Sequence, residues 1–227
     1  MKYWKYVFSL LLMITLLTSC AVKETEKSVQ PVPLTEAEID QVNEAFASMR
    51  EENGMLIPTE VSCFFTSYYD RAEELDFKEF IRYFPAGGKI EDGKEFAALA
   101  ALPDFPWKEP FAGGRSISEE NLPVPIHKIP EEAINAALTK WAGITLEDVA
   151  GKSEILYLDE YNSFYTYTSD FGPGFFTCTE GEVNGDAVQL WSEANSEGRR
   201  DLLTLEEENG NWYIRSFQKV QTDEEQL

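Results

Sequence analysis

The chain has 227 residues, 43% of them hydrophobic and 26% charged, with 14 Gly and 11 Pro; this composition belongs to globular proteins and excludes disordered and collagen-like chains. Nineteen Lys and Arg against 41 Asp and Glu leave a net charge of −22, and a surface that negative repels phosphate backbones, so no nucleic-acid partner is expected. The single histidine, His127, excludes sites that need two or more imidazoles.

The first residues read as a sorting segment. Lys2 and Lys5 form a positive n-region around Tyr3 and Trp4, and the run from Val7 to Leu17 is apolar except for Ser9 and Thr15. That run is short for a membrane span of about 20 residues and suits a signal-peptide h-region. It ends in Leu17-Thr18-Ser19-Cys20, which resembles the lipobox of bacterial lipoproteins. The resemblance implies a diacylglycerol on the Cys20 sulfur and cleavage just before it. Residues 1–19 are then the signal peptide, and the protein sits lipid-anchored on the extracytoplasmic face of the cell membrane. A plain secretory signal or an uncleaved anchor are the alternatives. Lipid contributes about 0.8 kcal/mol per buried CH₂, and two or more chains hold a protein stably on a membrane. The acidic body should stand off from an anionic membrane surface. Residues 20–34 read as the lipidated Cys and a flexible tether, polar and carrying Pro31 and Pro33, whose residues 21–34 reach about 40 Å at roughly 3 Å per residue. Residues 221–227 read as an acidic tail.

Between them, residues 35–220 are expected to form a single domain. Thr35 and Glu38 fit a capping box, with Ile39, Val42, Ala45, Phe46 and Met49 on one helical face and Asn53-Gly54 as the stop. Val61 to Tyr69 suits a strand or a buried helical turn. Asp76 opens a helix with Phe77, Phe80, Ile81 and Phe84 at helical spacing, ended by Pro85, and another helix is predicted from Gly93 to Leu102. Residues 103–130 carry six Pro and a Gly-Gly pair and read as irregular. Pro130 begins a helix that buries Ile134, Ala137, Leu138 and Trp141 and ends at Gly143, and Thr145 starts a shorter one. The period then changes to two. Strands are predicted near 154–158, 161–168, 174–182, 186–193, 200–207 and 211–220, with Asn184-Gly185 and Asn209-Gly210 as hairpin turns. Helices followed by strands predict an α+β fold in which N-terminal helices pack on a C-terminal antiparallel β-meander.

The order of the acidic first helix, the aromatic segment Phe64-Phe65-Thr66-Ser67-Tyr68-Tyr69, the bridge Pro125-Ile126-His127-Lys128-Ile129-Pro130 and the C-terminal meander looks like that of small lipoproteins of unknown function from Gram-positive gut bacteria. This resemblance covers most of residues 35–220. It implies location and fold, and no activity.

Motifs that carry chemistry are few. His127 is a candidate functional histidine, able to act as a general base, against the plainer role of fixing a loop through hydrogen bonds. Cys63 and Cys178 either pair, closing a loop of roughly 115 residues worth about 4–5 kcal/mol, or stay as buried thiols; a nucleophilic Cys with His127 is the sharper option. Gly88 to Lys94 matches a P-loop, but Glu95 replaces its final Ser/Thr, and Glu91 and Asp92 add negative charge where phosphates would sit. Ser216-Phe217-Gln218-Lys219 matches S-x-x-K on a predicted strand without the companion motifs. The acids Asp159, Glu160, Asp170, Glu180, Glu182 and Asp186 edge the strands, but without an EF-hand loop they read as a solvated rim, and no metal or cofactor is expected. Tyr161, Tyr165 and Tyr167 share a predicted strand face and, with Trp191, form a candidate ligand face, against the plainer role of filling the core.

These features favour a non-catalytic, membrane-anchored binding module for a protein, peptide or glycan. The alternative is an extracytoplasmic hydrolase acting on envelope polymers through carboxylates and His127.

Overall fold

A computed structural model describes residues 30–85, 87–90, 92–107, 118–167 and 172–222, together with the backbone but not the side chain of Glu119. Residues 1–19, Cys20, most of the tether, Asp170 and the end of the acidic tail lie outside the described residues. In chain order the elements are β1 (Val32–Pro33), α1 (Glu36–Ala45), β2 (Met49–Glu52), β3 (Met55–Pro58), α2 (Phe77–Arg82), α3 (Gly93–Ala101), β4 (Ile126–Pro130), α4 (Glu131–Ala142), β5 (Leu156–Leu158), β6 (Ser163–Tyr167), β7 (Glu180–Asn184), β8 (Ala187–Trp191), β9 (Arg199–Glu208) and β10 (Asn211–Gln221), with short 3-10 turns between several of them. The fold is mixed α+β, and its strand pairs are antiparallel. The described chain divides into two compact units, residues 30–47 with 176–222, and residues 48–175.

The first unit is a five-stranded sheet in the order β1-β7-β8-β9-β10 together with α1. Alternation along its strands lines up in rows across the sheet. Val188 lies opposite Leu205 and Leu205 opposite Ile214; Leu190 lies opposite Leu203 and Leu203 opposite Phe217. All six are buried, which is what a sheet with one covered face requires. Ile214 and Phe217 are three apart, so simple alternation would turn one of them outward. A bulge between Ile214 and Ser216 absorbs the extra residue and returns Phe217 to the covered face. The β9–β10 turn has Asn209 and Gly210 at φ 55° and 80°, the left-handed pair that a two-residue hairpin needs. Thr35 and Glu38 form the expected capping box, and the Asn43 amide bonds both the N–H and the C=O of Cys178, at 2.8 and 2.9 Å. Part of the tether is ordered: β1 pairs with β7, and the Leu34 N–H donates to Gly181 O at 2.8 Å.

The second unit carries a β2–β3 hairpin and a three-stranded sheet in the order β4-β6-β5, with α2, α3 and α4. Its hairpin corrects the first helix of the sequence analysis, which stops at Ala45 rather than running to Asn53. Asn53 and Gly54, at φ 53° and 77°, are the hairpin turn between β2 and β3 and not a helix stop. Residues 126–130, expected to be irregular, form β4, because Ile126 and Ile129 are buried while the strand pairs along β6. Residues 60–65 coil into a buried 3-10 turn. Gly174 crosses that turn so closely that a Cβ would meet the Phe65 carbonyl at 2.5 Å.

Candidate functional site

Two features of the second unit stand out, an open cleft and a buried cluster of charge. The cleft is built from α4 outward. Glu131 and Asn135, one turn apart, share a face of that helix. The Asn135 Oδ1 accepts the Leu146 N–H at 2.9 Å, and Lys152 Nζ donates to the Leu146 carbonyl at 2.7 Å, so the 3-10 turn Leu146–Asp148 is held from both sides. Asp148 completes its own capping box by accepting from the Thr145 N–H and hydroxyl, both at 2.8 Å. Those two hydrogen bonds, the backbone one first, hold the Asp148 carboxyl below the usual carboxylate range. Opposite, on β5, the Tyr157 hydroxyl donates to Glu131 Oε2 at 2.5 Å, and that bond, with burial and nearby carboxylates adding to it, pushes Tyr157 up to about 12. The Tyr157 ring lies 4.6 Å from that of Phe164. Glu131, Asn135, Leu146, Lys152, Tyr157 and Phe164, with Leu102, Pro103 and Leu156, line a cleft of about 730 Å³, within the range of small-ligand sites.

The charge cluster begins at the N-terminus of α3. Asp92 caps the helix, its Oδ1 accepting the Lys94 and Glu95 N–H groups at 2.8 and 2.9 Å, and these bonds lower its pKa. That geometry turns Glu95 inward, where it is fully buried. Its Oε1 accepts the Tyr165 hydroxyl at 2.5 Å and lies 3.0 Å from Lys128 Nζ. Lys128 and Tyr165 are cross-strand partners on β4 and β6, and the Tyr161 ring covers the ammonium at 5.2 Å. Apolar neighbours around Tyr165 include Phe96, Leu99, Phe105 and Ile126. Glu95 therefore departs from the P-loop pattern because it is a core carboxylate. Gly88 is used otherwise too, in a backbone bridge to Lys128.

The residues singled out in the sequence are dispersed. Tyr161 sits in a 3-10 turn and not on the strand, Tyr165 is buried, and Tyr167 is 44% exposed with its ring 5.0 Å from Trp107. Trp191 belongs to the five-stranded sheet of the other unit, so the four rings are not gathered on one strand face. His127 is half-buried on β4, opposite Thr166. Cys63 and Cys178 lie in different units as buried free thiols; burial pushes Cys63 up to about 12 and Cys178 up to about 11. Asp159 and Glu160 fall in the turn before β6, whereas Glu180, Glu182 and Asp186 belong to the β7–β8 hairpin of the other unit. No group of three or more His, Cys, Asp and Glu able to hold a metal ion occurs among the described residues.

Sequence reasoning missed Glu95, Lys128, Glu131 and Asn135. The available signal was Glu95 one turn before Leu99, a carboxylate on the apolar stripe of a helix. Comparison with family models, curated proteins and solved structures finds no match. Among the described residues no helix is long and apolar enough to cross a membrane.

Proposed function

We propose that this chain is a lipid-anchored, extracytoplasmic binding module that holds a peptide or glycan in the cleft of residues 48–175. The observation that carries the reading is the state of the cleft's polar groups. Asn135, Lys152, Tyr157 and Glu131 each hold a hydrogen bond within the wall, so the cleft is shaped before any ligand arrives. Fixed polar groups among Leu102, Leu156 and Phe164 suit recognition, in which little ordering cost remains to be met on binding. The lipobox-like Leu17-Thr18-Ser19-Cys20 and the net charge of −22 support a module held away from the membrane surface. Within the first unit, α1 and the C-terminal meander serve as scaffold in this reading.

The test is a binding screen of the full chain in detergent against envelope-derived glycans and short peptides, read by thermal shift and calorimetry. Ser153 is exposed and lines the cleft, so Ser153→Trp should obstruct it without disturbing the core. Binding that falls at least tenfold in Ser153→Trp, with the melt unchanged, supports the cleft. Equal affinity in the variant overturns it, and turnover of a glycan would favour the hydrolase reading instead.

A further inference from the structure

The cleft lies against a strand edge. In the sheet order β4-β6-β5, β5 is an outer strand, and among the described residues no strand pairs with its other side. No backbone hydrogen bond ties Leu156 or Tyr157 to a described element other than β6. An outer strand of this kind presents unused N–H and C=O groups, a template on which another strand can form.

The side chains show where the cleft sits relative to the sheet. Leu156 lies opposite Tyr165, and both are buried in one cluster with Phe96 and Leu99 of α3. Tyr157 lies opposite Phe164 on the other face, where its hydroxyl meets Glu131 of α4. Successive strand residues point to opposite faces, yet Leu156 and Tyr157 both line the cleft. So do Pro103 and Asp104, just past α3, and Glu131 and Asn135 of α4. A space bounded by elements from both faces, and by two successive residues of the outer strand, lies beyond that strand's open side in the plane of the sheet. Its lining sets three carboxylates, Asp104, Glu131 and Glu147, against the ammonium of Lys152, which is turned onto the Leu146 carbonyl at 2.7 Å. A guest with basic side chains complements that charge.

We infer that the cleft takes an extended peptide with basic side chains, which joins the three-stranded sheet as a fourth strand along β5. The inference rests on the cleft reading and narrows its peptide or glycan guest to one class. Main-chain hydrogen bonds to β5 supply affinity, and alternate peptide side chains reach the α3 and α4 walls. β5 has 3 residues, so the paired stretch spans about 10 Å at roughly 3.3 Å per residue. A glycan lacks the alternating N–H and C=O groups that a strand edge matches.

Calorimetry on the full chain in detergent tests the pairing with acetylated, amidated pentapeptides in which lysine alternates with valine, leucine or tyrosine. Counterparts with glutamate in place of lysine, and envelope-derived glycans, are the comparison. At least one lysine peptide should bind, about tenfold tighter than its glutamate counterpart at low salt and about tenfold weaker to Ser153→Trp. Single N-methylation along the bound peptide gives the deciding pattern. Removing an N–H that faces β5 should weaken binding about tenfold, while methylation at adjacent positions, whose N–H groups face away, should change it less than about threefold. No binding by any lysine peptide, or losses on N-methylation without alternation, overturns the strand pairing. Glycan binding that Ser153→Trp abolishes, with no peptide bound, overturns the pairing and leaves the cleft reading intact. Peptide binding that is equal in Ser153→Trp and the native chain overturns both.

Discussion

The two compact units bury their interiors by different means. In residues 176–222 the sheet packs rows of hydrocarbon, Val188-Leu205-Ile214 and Leu190-Leu203-Phe217, and Ser216 is the only polar residue among its buried ones in the described part. Residues 48–175 instead enclose a carboxylate, an ammonium and a phenol around Glu95, and carry an open cleft lined in part by Leu156 of β5 and Phe164 of β6. Hydrocarbon rows are non-directional and tolerate small shifts, whereas a buried ion pair is stable only when its hydrogen bonds are all in place. The Glu95 contacts tie α3 to both β4 and β6 through directional bonds, which the hydrocarbon rows of the first unit lack.

The largest expected effect breaks that cluster. Glu95→Ala leaves Lys128 and the Tyr165 hydroxyl buried beside a cavity, and removing one partner of a buried pair costs about 3–5 kcal/mol. Lys128→Met, which removes the ammonium and leaves the buried carboxylate with the Tyr165 hydroxyl, should cost a similar amount. The double variant Glu95→Leu with Lys128→Met should recover much of the loss, because neither charge is then left unpaired. Denaturant unfolding of the native chain, Glu95→Leu, Lys128→Met and the double variant measures the cycle. Strictly additive losses would mean that the two charges act independently and that the cluster does not organise the unit.

How well each unit could be read from sequence follows the same division. Asn209-Gly210 and the alternating Val188 and Leu190 depend on local rules, turn chemistry and period two, and the structure has them where they were expected. The capping box at Thr35 is equally local. Asn53-Gly54 shows the limit of such rules, since the same dipeptide ends a helix or turns a hairpin, and pairing of Met49–Glu52 with Met55–Pro58 decided the matter. The cluster was illegible for a different reason. Glu95, Lys128 and Tyr165 are far apart in the chain, and among 41 acids nothing local distinguishes the one carboxylate that a strand pair will meet. The same holds for Glu131 and Tyr157, whose hydrogen bond spans 26 residues.

A second variant sharpens the contrast from the hydrocarbon side. Leu190 and Leu203 are fully buried cross-strand partners, so Leu203→Ala should cost about 3 kcal/mol through lost transfer energy and the residual cavity. Unlike the loss in Glu95→Ala, this one should be the same at pH 6 and pH 8 and insensitive to salt, because no charge is exposed or stranded. Denaturant unfolding at both pH values checks it. A marked dependence on pH would show that the sheet's stability is tied to the charged cluster of the other unit.

At neutral pH the smallest expected effect compares the units through their buried thiols, Cys178 in the first and Cys63 in the second, whose contribution changes only on the alkaline side. Burial raises Cys63 to about 12 and Cys178 to about 11, above the value near 8.5 of a thiol in an unfolded chain. The Cys178 Sγ also donates to the Glu180 carbonyl at 3.1 Å, a contact the protonated form alone can make. Because the folded values are raised, each thiol's contribution is fully present below about pH 8.5 and is lost as pH rises toward its folded pKa. Stability should therefore decline on the alkaline side, with the Cys178 share levelling off near pH 11 and the Cys63 share continuing toward 12. Cys63→Ala and Cys178→Ala should each flatten their own part of that decline, and thiol reagents at pH 8 should modify neither residue until the chain unfolds. Rapid modification of the native chain would show that a thiol is open to solvent, and a complete absence of titratable thiol after unfolding would show the two joined as a disulfide.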